Sequence, residues 1–486
     1  MSANSNKMVV KRKHFRYRNI EDLRQEIAKL GLKIRLADRV ENLFQPVQIG
    51  HKTAGNAFAI HPMEGCDCTL DGKPSELTIR RWLRFGAGGA KLIWGEATAI
   101  LEEAKANSRQ LEINDYTANS IEQLLTLTRD KHKEIFGANE EVIVGMQLTH
   151  SGRYSYKRPL IAFRHPVVDK VTLVDKKKRI PIPEDYPVLS DDELERLEDR
   201  YVEVAKLAHR IGFDFIDLKQ CHTYLLNELL AAKTREGKYG GSFENRTLFI
   251  RNIIGKIRAE VGDRLILASR INVYDGIAYM PNPNTNMGMP RETPTPYPYG
   301  FGVDENNPPQ PNMSEPIKLV GLMKESGVKL VNASMGSPYY NPHIGRPFER
   351  PPIDGYETPE HPLVGVDRHF RLTADIQQAH PDLPIVGTGY SWLQNYVVNA
   401  GEANVQDGKV RFVAVGRGSM AYPDYVKDTM ESGQMAKNKS CVAISYCTAL
   451  MRAKDNPLHQ FPSGCVPRDR FYAQIYKDAE KTLTQQ

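Results

Sequence analysis

Short apolar runs of strand length recur along the chain, and each ends in small or polar residues. They are AFAIHPM from Ala57, KLIWGEAT from Lys91, VIVGMQLTH from Val142, FDFIDLKQCH from Phe213, LILASRIN from Leu265, LVNASMG from Leu330, PIVGTG from Pro384 and FVAVGRG from Phe412. Between them lie segments of helical periodicity. Leu194, Leu197, Tyr201, Val204, Ala205 and Ala208 make one apolar stripe, and Leu319, Leu322, Met323 and Val328 another. The runs are continuously apolar rather than alternating, the pattern of strands buried on both faces and hence of a parallel sheet. Eight strand–helix units in a chain of 486 residues predict an α/β fold, a (β/α)8 TIM barrel. On pattern alone a doubly wound open sheet is the alternative.

Most of the length beyond those units follows strand ends, in residues 151–190, 271–315 and 337–366. In a barrel such loops build the walls of the active-site face. The middle one, with PNPNTNMGMPRETPTPYPYG, reads as a long surface loop. Residues 1–40 form a basic N-terminal extension with one helix expected from Glu21 to Leu30. Residues 41–435 form the barrel, and 436–486 a C-terminal tail expected to pack on it.

Composition narrows the class further. With 41% hydrophobic and 26% charged residues the chain has the balance of a soluble globular protein. Its net charge of +6 is mild, and much of the excess sits in Lys7, Lys11, Arg12, Lys13, Arg16 and Arg18. A solvated extension is the ordinary reading of such a run, ahead of docking on nucleic acid or membrane. No apolar run has the length to span a bilayer and no signal-peptide core follows the first Met, so a cytoplasmic protein without membrane or nucleic-acid partners is expected. Six cysteines in so long a chain point to reduced thiols. Cys441, Cys447 and Cys465 fit neither a zinc nor an iron–sulfur spacing, so inert thiols are expected there and no metal.

The chemistry concentrates at strand ends. The run from Phe213 closes in Lys219, His222 and Tyr224: a cation, an imidazole and a phenol that core packing does not require. Gly240 and Gly241 then make a turn, and Ser242 caps a helix carrying Phe249, Ile253, Ile254, Ile257 and Val261. The seventh strand ends in Gly387-Thr388-Gly389 and the eighth in Gly416-Arg417-Gly418. Barrels commonly hold phosphate there: glycine lets backbone N–H groups approach the oxygens, and Arg417 adds a charged fork. A plain turn at each is the alternative. Gln147, His150 and Arg270 complete a polar ring suited to a planar, phosphorylated ligand. There is no GxGxxG after a strand and no Walker loop, so a nicotinamide is not held by a Rossmann domain of this chain.

Asn56 to Met63 (NxxxxxPM), GGAKLIWGEAT, QLTHSGR from Gln147 to Arg153, and CHTYLLNELL followed by YGGSFENR resemble the Old Yellow Enzyme family, in order from about residue 43 to 430. The resemblance implies FMN on a (β/α)8 barrel with NAD(P)H as co-substrate. It implies that Gln147 meets the flavin pyrimidine edge and that Arg270 sits beside flavin N1. Pro62 and Met63, with the backbone near Ala97, would lie against the isoalloxazine. Gly387, Gly389, Gly416 and Arg417 would hold the phosphate, and Tyr224 would protonate the substrate. Two departures stand out. The family's pair of carbonyl-gripping residues is here Lys219 and His222, and Lys219 has a second reading as an ion-pair partner of Glu64 or Glu96. The flavin-tuning position after Pro62-Met63 is Glu64.

The reading is an FMN-dependent ene-reductase of ping-pong type that passes hydride from NAD(P)H through flavin N5 to the β-carbon of an α,β-unsaturated carbonyl compound. Relatives with an iron–sulfur cluster have a cysteine spacing this chain lacks, so no cluster is expected. The rivals are an amine dehydrogenase or demethylase on the same barrel and a non-catalytic ligand-binding barrel. A homo-oligomer is compatible with the sequence.

Overall fold

The computed structural model describes residues 13–139, 141–351, 355–447 and 462–484. The eight apolar runs are eight parallel strands, β1 (Phe58–Ile60), β2 (Leu92–Ala99), β3 (Ile143–Thr149), β4 (Phe215–Leu218), β5 (Ile266–Asn272), β6 (Leu330–Ser334), β7 (Ile385–Gly387) and β8 (Phe412–Val415). Each pairs with the next, and β8 pairs with β1 through Val413↔Phe58, so the sheet closes into a barrel. The periodic segments between them are helices, such as Asp191–Ile211 and Ser314–Glu325. The TIM barrel is therefore correct and the open sheet is not.

The lower barrel is filled by apolar side chains, Leu92, Trp94, Ile143, Phe215, Ile266, Leu330, Val386 and Phe412 among them. Trp94 and Phe215 meet edge to face at 4.9 Å. Gly145 makes that packing feasible, because a Cβ there would lie 2.2 Å from the Phe215 ring. A hairpin of Val47–Ile49 and Lys52–Ala54 closes the N-terminal end, burying Ile49 and Ala54 against the same cluster. Toward the other end the interior turns polar, with Asp217, Gln147, Asn332 and His61 all buried.

The loops depart from expectation in two places. The stretch after β5 is more than a surface loop: it contains a hairpin, Tyr279–Pro281 with Gly288–Pro290, and buries Tyr297 and Phe301. Its aromatic residues find partners on neighbouring loops. Tyr297 Oη lies 3.0 Å from His165 Nε2, and Tyr279 packs edge to face on His343 at 4.6 Å. Ser242 caps a four-residue helix, Phe243–Arg246, rather than the long one. The chain turns at Thr247 before the apolar helix Leu248–Val261 begins.

The N-terminal extension is anchored rather than solvated from Lys13 onward, and Lys7, Lys11 and Arg12 lie outside the described residues. Its helix spans Ile20–Lys29, capped by Asn19 and burying Leu23 and Ile27. Buried Glu349 accepts from the backbone N–H groups of Lys13 (2.9 Å), His14 (2.9 Å) and Phe15 (3.0 Å) and from Trp392 Nε1 (2.9 Å). Near the other end, Asp469 pairs with Arg80 and Arg84 of the helix after β1, and Ser463 N donates to Gly65 O at 2.6 Å. None of the six cysteines is joined in a disulfide among the described residues.

Glu349→Ala would remove the acceptor shared by four donors, two of them buried. It is expected to cost about 3 kcal/mol and to expose residues 13–19 to proteolysis; denaturant unfolding and limited digestion check this.

Candidate active site

At the upper end of the barrel a fully buried carboxylate organises the floor of the site. Asp217 on β4 accepts from Gln147 Nε2 on β3 (2.5 Å), from Trp94 Nε1 on β2 (2.8 Å) and from the backbone N–H of Arg270 on β5 (2.7 Å). Four adjacent strands thus share one acceptor. Burial pushes the Asp217 pKa up to about 6 even though these donors and nearby Arg270 favour the anion. Gln147 is thereby turned toward Asp217 through its amide nitrogen.

Above this floor lies a cleft with about 740 Å³ of empty space, its mouth included. Its lining carries Arg270, Arg346 and Arg417 and, among the described residues, no acid. Pro62, Met63 and His61 from the end of β1 form one wall, and Thr388, Gly389, Ser391 and Gly416 from the ends of β7 and β8 another. Arg417 donates one Nη to Pro347 O at 2.6 Å, while its buried Nη1 has no partner among the described residues. Arg270 reaches Ser334 Oγ at 3.2 Å and leaves its buried Nε without one. Buried guanidinium donors held at one side by neutral acceptors, with no carboxylate among the described lining residues, fit an anionic ligand. Gly416 keeps this space open, since a Cβ there would lie 3.0 Å from Met63 Sδ. Gly389, at φ +90°, lies against His369, which meets Thr388 Oγ1 at 2.8 Å.

Burial first, and then the positive charge of Arg270, hold the imidazoles of His61 and His222 well below their ordinary pKa. Both are neutral, and the buried Nε2 of His61 has no partner.

His222 reaches the cleft through an unusual turn. It and Thr223 both have left-handed backbones, φ 63° and 59°. Such backbones are costly, the more so for a β-branched threonine. Three bonds hold the turn: His222 N to Asn272 Oδ1 (3.2 Å), Thr223 N to Asn227 Oδ1 (2.7 Å), and Thr223 Oγ1 with Ser337 Oγ (3.0 Å). Asn272 and Asn227 are in turn held by Asp275.

Lys219 and Tyr224 stand together outside the lining of this cleft. The buried Lys219 Nζ sits 3.9 Å over the Tyr224 ring centroid, a cation–π contact. Burial lowers the Lys219 pKa, which nearby Cys221 and Glu64 oppose, and burial raises that of Tyr224 well above its ordinary value. The ion pair with Glu96 does not form. Glu96 instead receives Arg81 Nη1 (2.7 Å) and Trp82 Nε1 (3.0 Å), while Glu64 receives the Asn107 amide. Tyr224 Oη meets Tyr339 Oη at 2.9 Å, and the Tyr339 ring stacks on Tyr154 at 3.7 Å with 7° between planes. Tyr154, Tyr339 and Tyr340 wall a second cavity of about 1030 Å³ toward the loop after β3.

Of the residues singled out by sequence, the arginine cleft gathers Pro62, Met63, His222, Arg270, Gly389, Gly416 and Arg417. Gly387 does not line it: a Cβ there would meet Val410 and the Tyr390 hydroxyl, so it packs behind the loops after β7 and β8. Ala97 pairs with Gln147 across β2 and β3, and its carbonyl accepts Gln110 Nε2 at 2.9 Å. His150 is buried, and its Nδ1 accepts from Gly152 N at 3.1 Å. His61, Thr388, Ser391, Arg346, Tyr154 and Tyr339 were not anticipated. His61 was legible as the residue before Pro62-Met63, and Tyr154 follows directly on QLTHSGR. Arg346 and Tyr339 lie in a long loop without strand or helix pattern.

Fold and cleft together define a barrel with a phosphate-competent site at the carboxyl ends of its strands. Residues 42–284, half of the chain, match the NADH:flavin oxidoreductase / NADH oxidase family, and the chain belongs to that family, of which the Old Yellow Enzymes are part. FMN is the flavin of this family. An NADPH dehydrogenase of Geobacillus sp. (strain WCH70) is 30% identical over 231 residues, 46% of this chain and 60% of the relative. The aligned part thus spans less than two thirds of that relative's length. Among solved structures, the old yellow enzyme homologue from Zymomonas mobilis superimposes with a TM-score of 0.57 at 20% identity, over 82% of this chain and 95% of that one. The histamine dehydrogenase from Rhizobium sp. 4-9 gives 0.61 at 19%, over 88% and 52%. At such identities these two show a shared fold.

Asp217 titrates higher in the folded chain, at about 6, than an unfolded aspartate near 3.9. The native state therefore holds the extra proton between those values, and stability is lost as pH rises through about 6. Relative to Asp217→Asn, wild type is expected to lose about 3 kcal/mol between roughly pH 4 and 7. Denaturant unfolding of both proteins across that range measures it.

Proposed function

We propose that this chain is an FMN-dependent, NAD(P)H-oxidising ene-reductase that reduces an alkene conjugated to a carbonyl, by a ping-pong cycle in one site. The observation that carries the reading is the cleft lined by three arginines beside a buried lysine–phenol pair. Bound FMN would accept one hydride, which carries two electrons, from NAD(P)H and pass it to the activated alkene.

The residues fit that cofactor. The unpartnered donor of Arg417, the open space at Gly389 and Gly416, and the hydroxyls of Thr388 and Ser391 suit a phosphate. Arg270 offers positive charge to the ring, and Gln147, oriented by Asp217, offers an amide edge. Pro62 and Met63 supply the apolar wall.

The substrate roles follow from charge state. On the cleft side neutral His222 would donate a hydrogen bond to the carbonyl oxygen, and Lys219, its ammonium over the Tyr224 ring, would put positive charge on the proton-donor side of the substrate. Tyr224 remains protonated at neutral pH, as a proton donor to the substrate α-carbon must. The same Lys219 charge opposes a cationic amine in this space, which sets the amine-oxidising alternative second.

The deciding experiment is an anaerobic visible spectrum of the purified protein, followed by NADPH or NADH and then cyclohexenone. Bleaching followed by enone-driven return of colour is expected; colourless protein that takes up no FMN would end the flavoenzyme reading. Two variants assign the parts. Arg417→Ala is expected to weaken FMN binding by roughly 10- to 100-fold, the worth of a charged hydrogen bond, read by flavin fluorescence. Tyr224→Phe is expected to slow enone-driven reoxidation by about 100-fold while leaving bleaching by NAD(P)H unchanged, read by stopped-flow absorbance.

A further inference from the structure

We infer that Tyr339 is the proton relay that restores Tyr224 after each turnover, connecting the buried phenol to solvent. The inference rests on the ene-reductase reading. In that reading Tyr224 gives up a proton once per cycle, and a buried phenolate must be reprotonated before the next alkene binds.

Three observations identify the route. Tyr224 is 5% exposed, and its Oη has one hydrogen-bond partner among the described residues, Tyr339 Oη at 2.9 Å. Tyr339 is itself 42% exposed, so it spans the boundary between the buried phenol and water. It is also held in register: its ring lies flat on Tyr154 at 3.7 Å, and its backbone N–H donates to Ser337 Oγ at 3.3 Å. The same Ser337 Oγ meets Thr223 Oγ1 next to Tyr224, so the donor and its relay hang from one hydrogen-bonded turn.

Other polar groups near Tyr224 are turned elsewhere. Lys219 Nζ lies over the ring face. Glu64 receives the Asn107 amide, and the Thr223 hydroxyl donates to the His222 carbonyl. The neighbouring phenol also contributes to keeping Tyr224 protonated, after burial.

The step balances without a further reactant. As the substrate α-C–H bond forms, the Tyr224 O–H bond breaks and leaves a phenolate. The Tyr339 O–H proton moves across the 2.9 Å contact to that oxygen, and water at the exposed side returns a proton to Tyr339. The hydride, with its two electrons, comes from NAD(P)H, so the relay carries a proton only. Tyr339 is thus a positioning residue that acts through Tyr224.

Tyr339→Phe keeps the stack on Tyr154 and removes the hydroxyl, and stopped-flow absorbance of the flavin-loaded protein tests it. FMN content and bleaching by NADPH should match wild type, which also certifies the fold. Multiple-turnover reduction of cyclohexenone should slow by roughly 10- to 100-fold, with a larger solvent isotope effect in D2O. Added imidazole should restore part of the rate, and Tyr339→His, which keeps a transferable proton, should retain more activity than the phenylalanine variant. Wild-type turnover with an unchanged isotope effect in Tyr339→Phe overturns the relay, as does a loss that neither imidazole nor histidine repairs. Wild-type protein that bleaches but is not reoxidised by any enone fails the underlying reading, and the relay falls with it.

Discussion

The constraint on which the site depends is a single carboxylate buried where the barrel interior changes from apolar to polar. Asp217 sits above the Trp94 and Phe215 layer and below the ligand cleft, and four strands meet on it through Trp94, Gln147 and the Arg270 backbone. Burying a charge is costly unless donors surround it. Here the compensation doubles as positioning, since satisfying Asp217 orients Gln147 and pins β5 where Arg270 must emerge. A barrel filled with apolar residues to its mouth would close equally well but would leave those two side chains without an imposed direction.

The same economy governs the turn after β4. His222 and Thr223 adopt backbones that L-residues avoid, and the cost is met by Asn227, Asn272 and Asp275 beneath them. The result separates side chains that are close in sequence. His222 joins the arginine cleft, whereas Lys219 and Tyr224 face each other through a cation–π contact and Tyr224 turns toward Tyr339. Strain of this kind at a strand end is characteristic of functional positions.

Both chain ends bear on the site's surroundings. Glu349, three residues beyond cleft-lining Arg346, gathers the amides of residues 13–15, so the N-terminal segment braces the loop that carries Arg346. Asp469 and Ser463 brace the loop and helix after β1 from the other side. Arg81 bridges the buried carboxylates of Asp67 and Glu96, which lets three ionisable groups share one dry position.

The strands, their order and the barrel were legible because continuous apolar runs of strand length alternate with helical stripes, and only burial on both faces sustains that pattern. The strand-end chemistry was legible too: Lys219, His222, Tyr224, Arg270, Gly416 and Arg417 stand where packing asks for nothing polar. What the chain alone left open was direction and partnership. Sequence spacing put Lys219 and His222 side by side, but the left-handed turn sends them different ways. It offered Glu64 and Glu96 to Lys219; Arg81 and Trp82 hold Glu96, while Glu64 lies near enough to raise the Lys219 pKa. It treated Gly387 like Gly389, though only the latter faces the cleft. Arg346 and Tyr339 come from loops without periodicity, placed by contacts with residues far away in sequence. Local pattern determines which residues form strands and where polar groups surface, because that depends on burial along one segment. Which of those groups touch depends on packing between segments, and only the tertiary structure decides it.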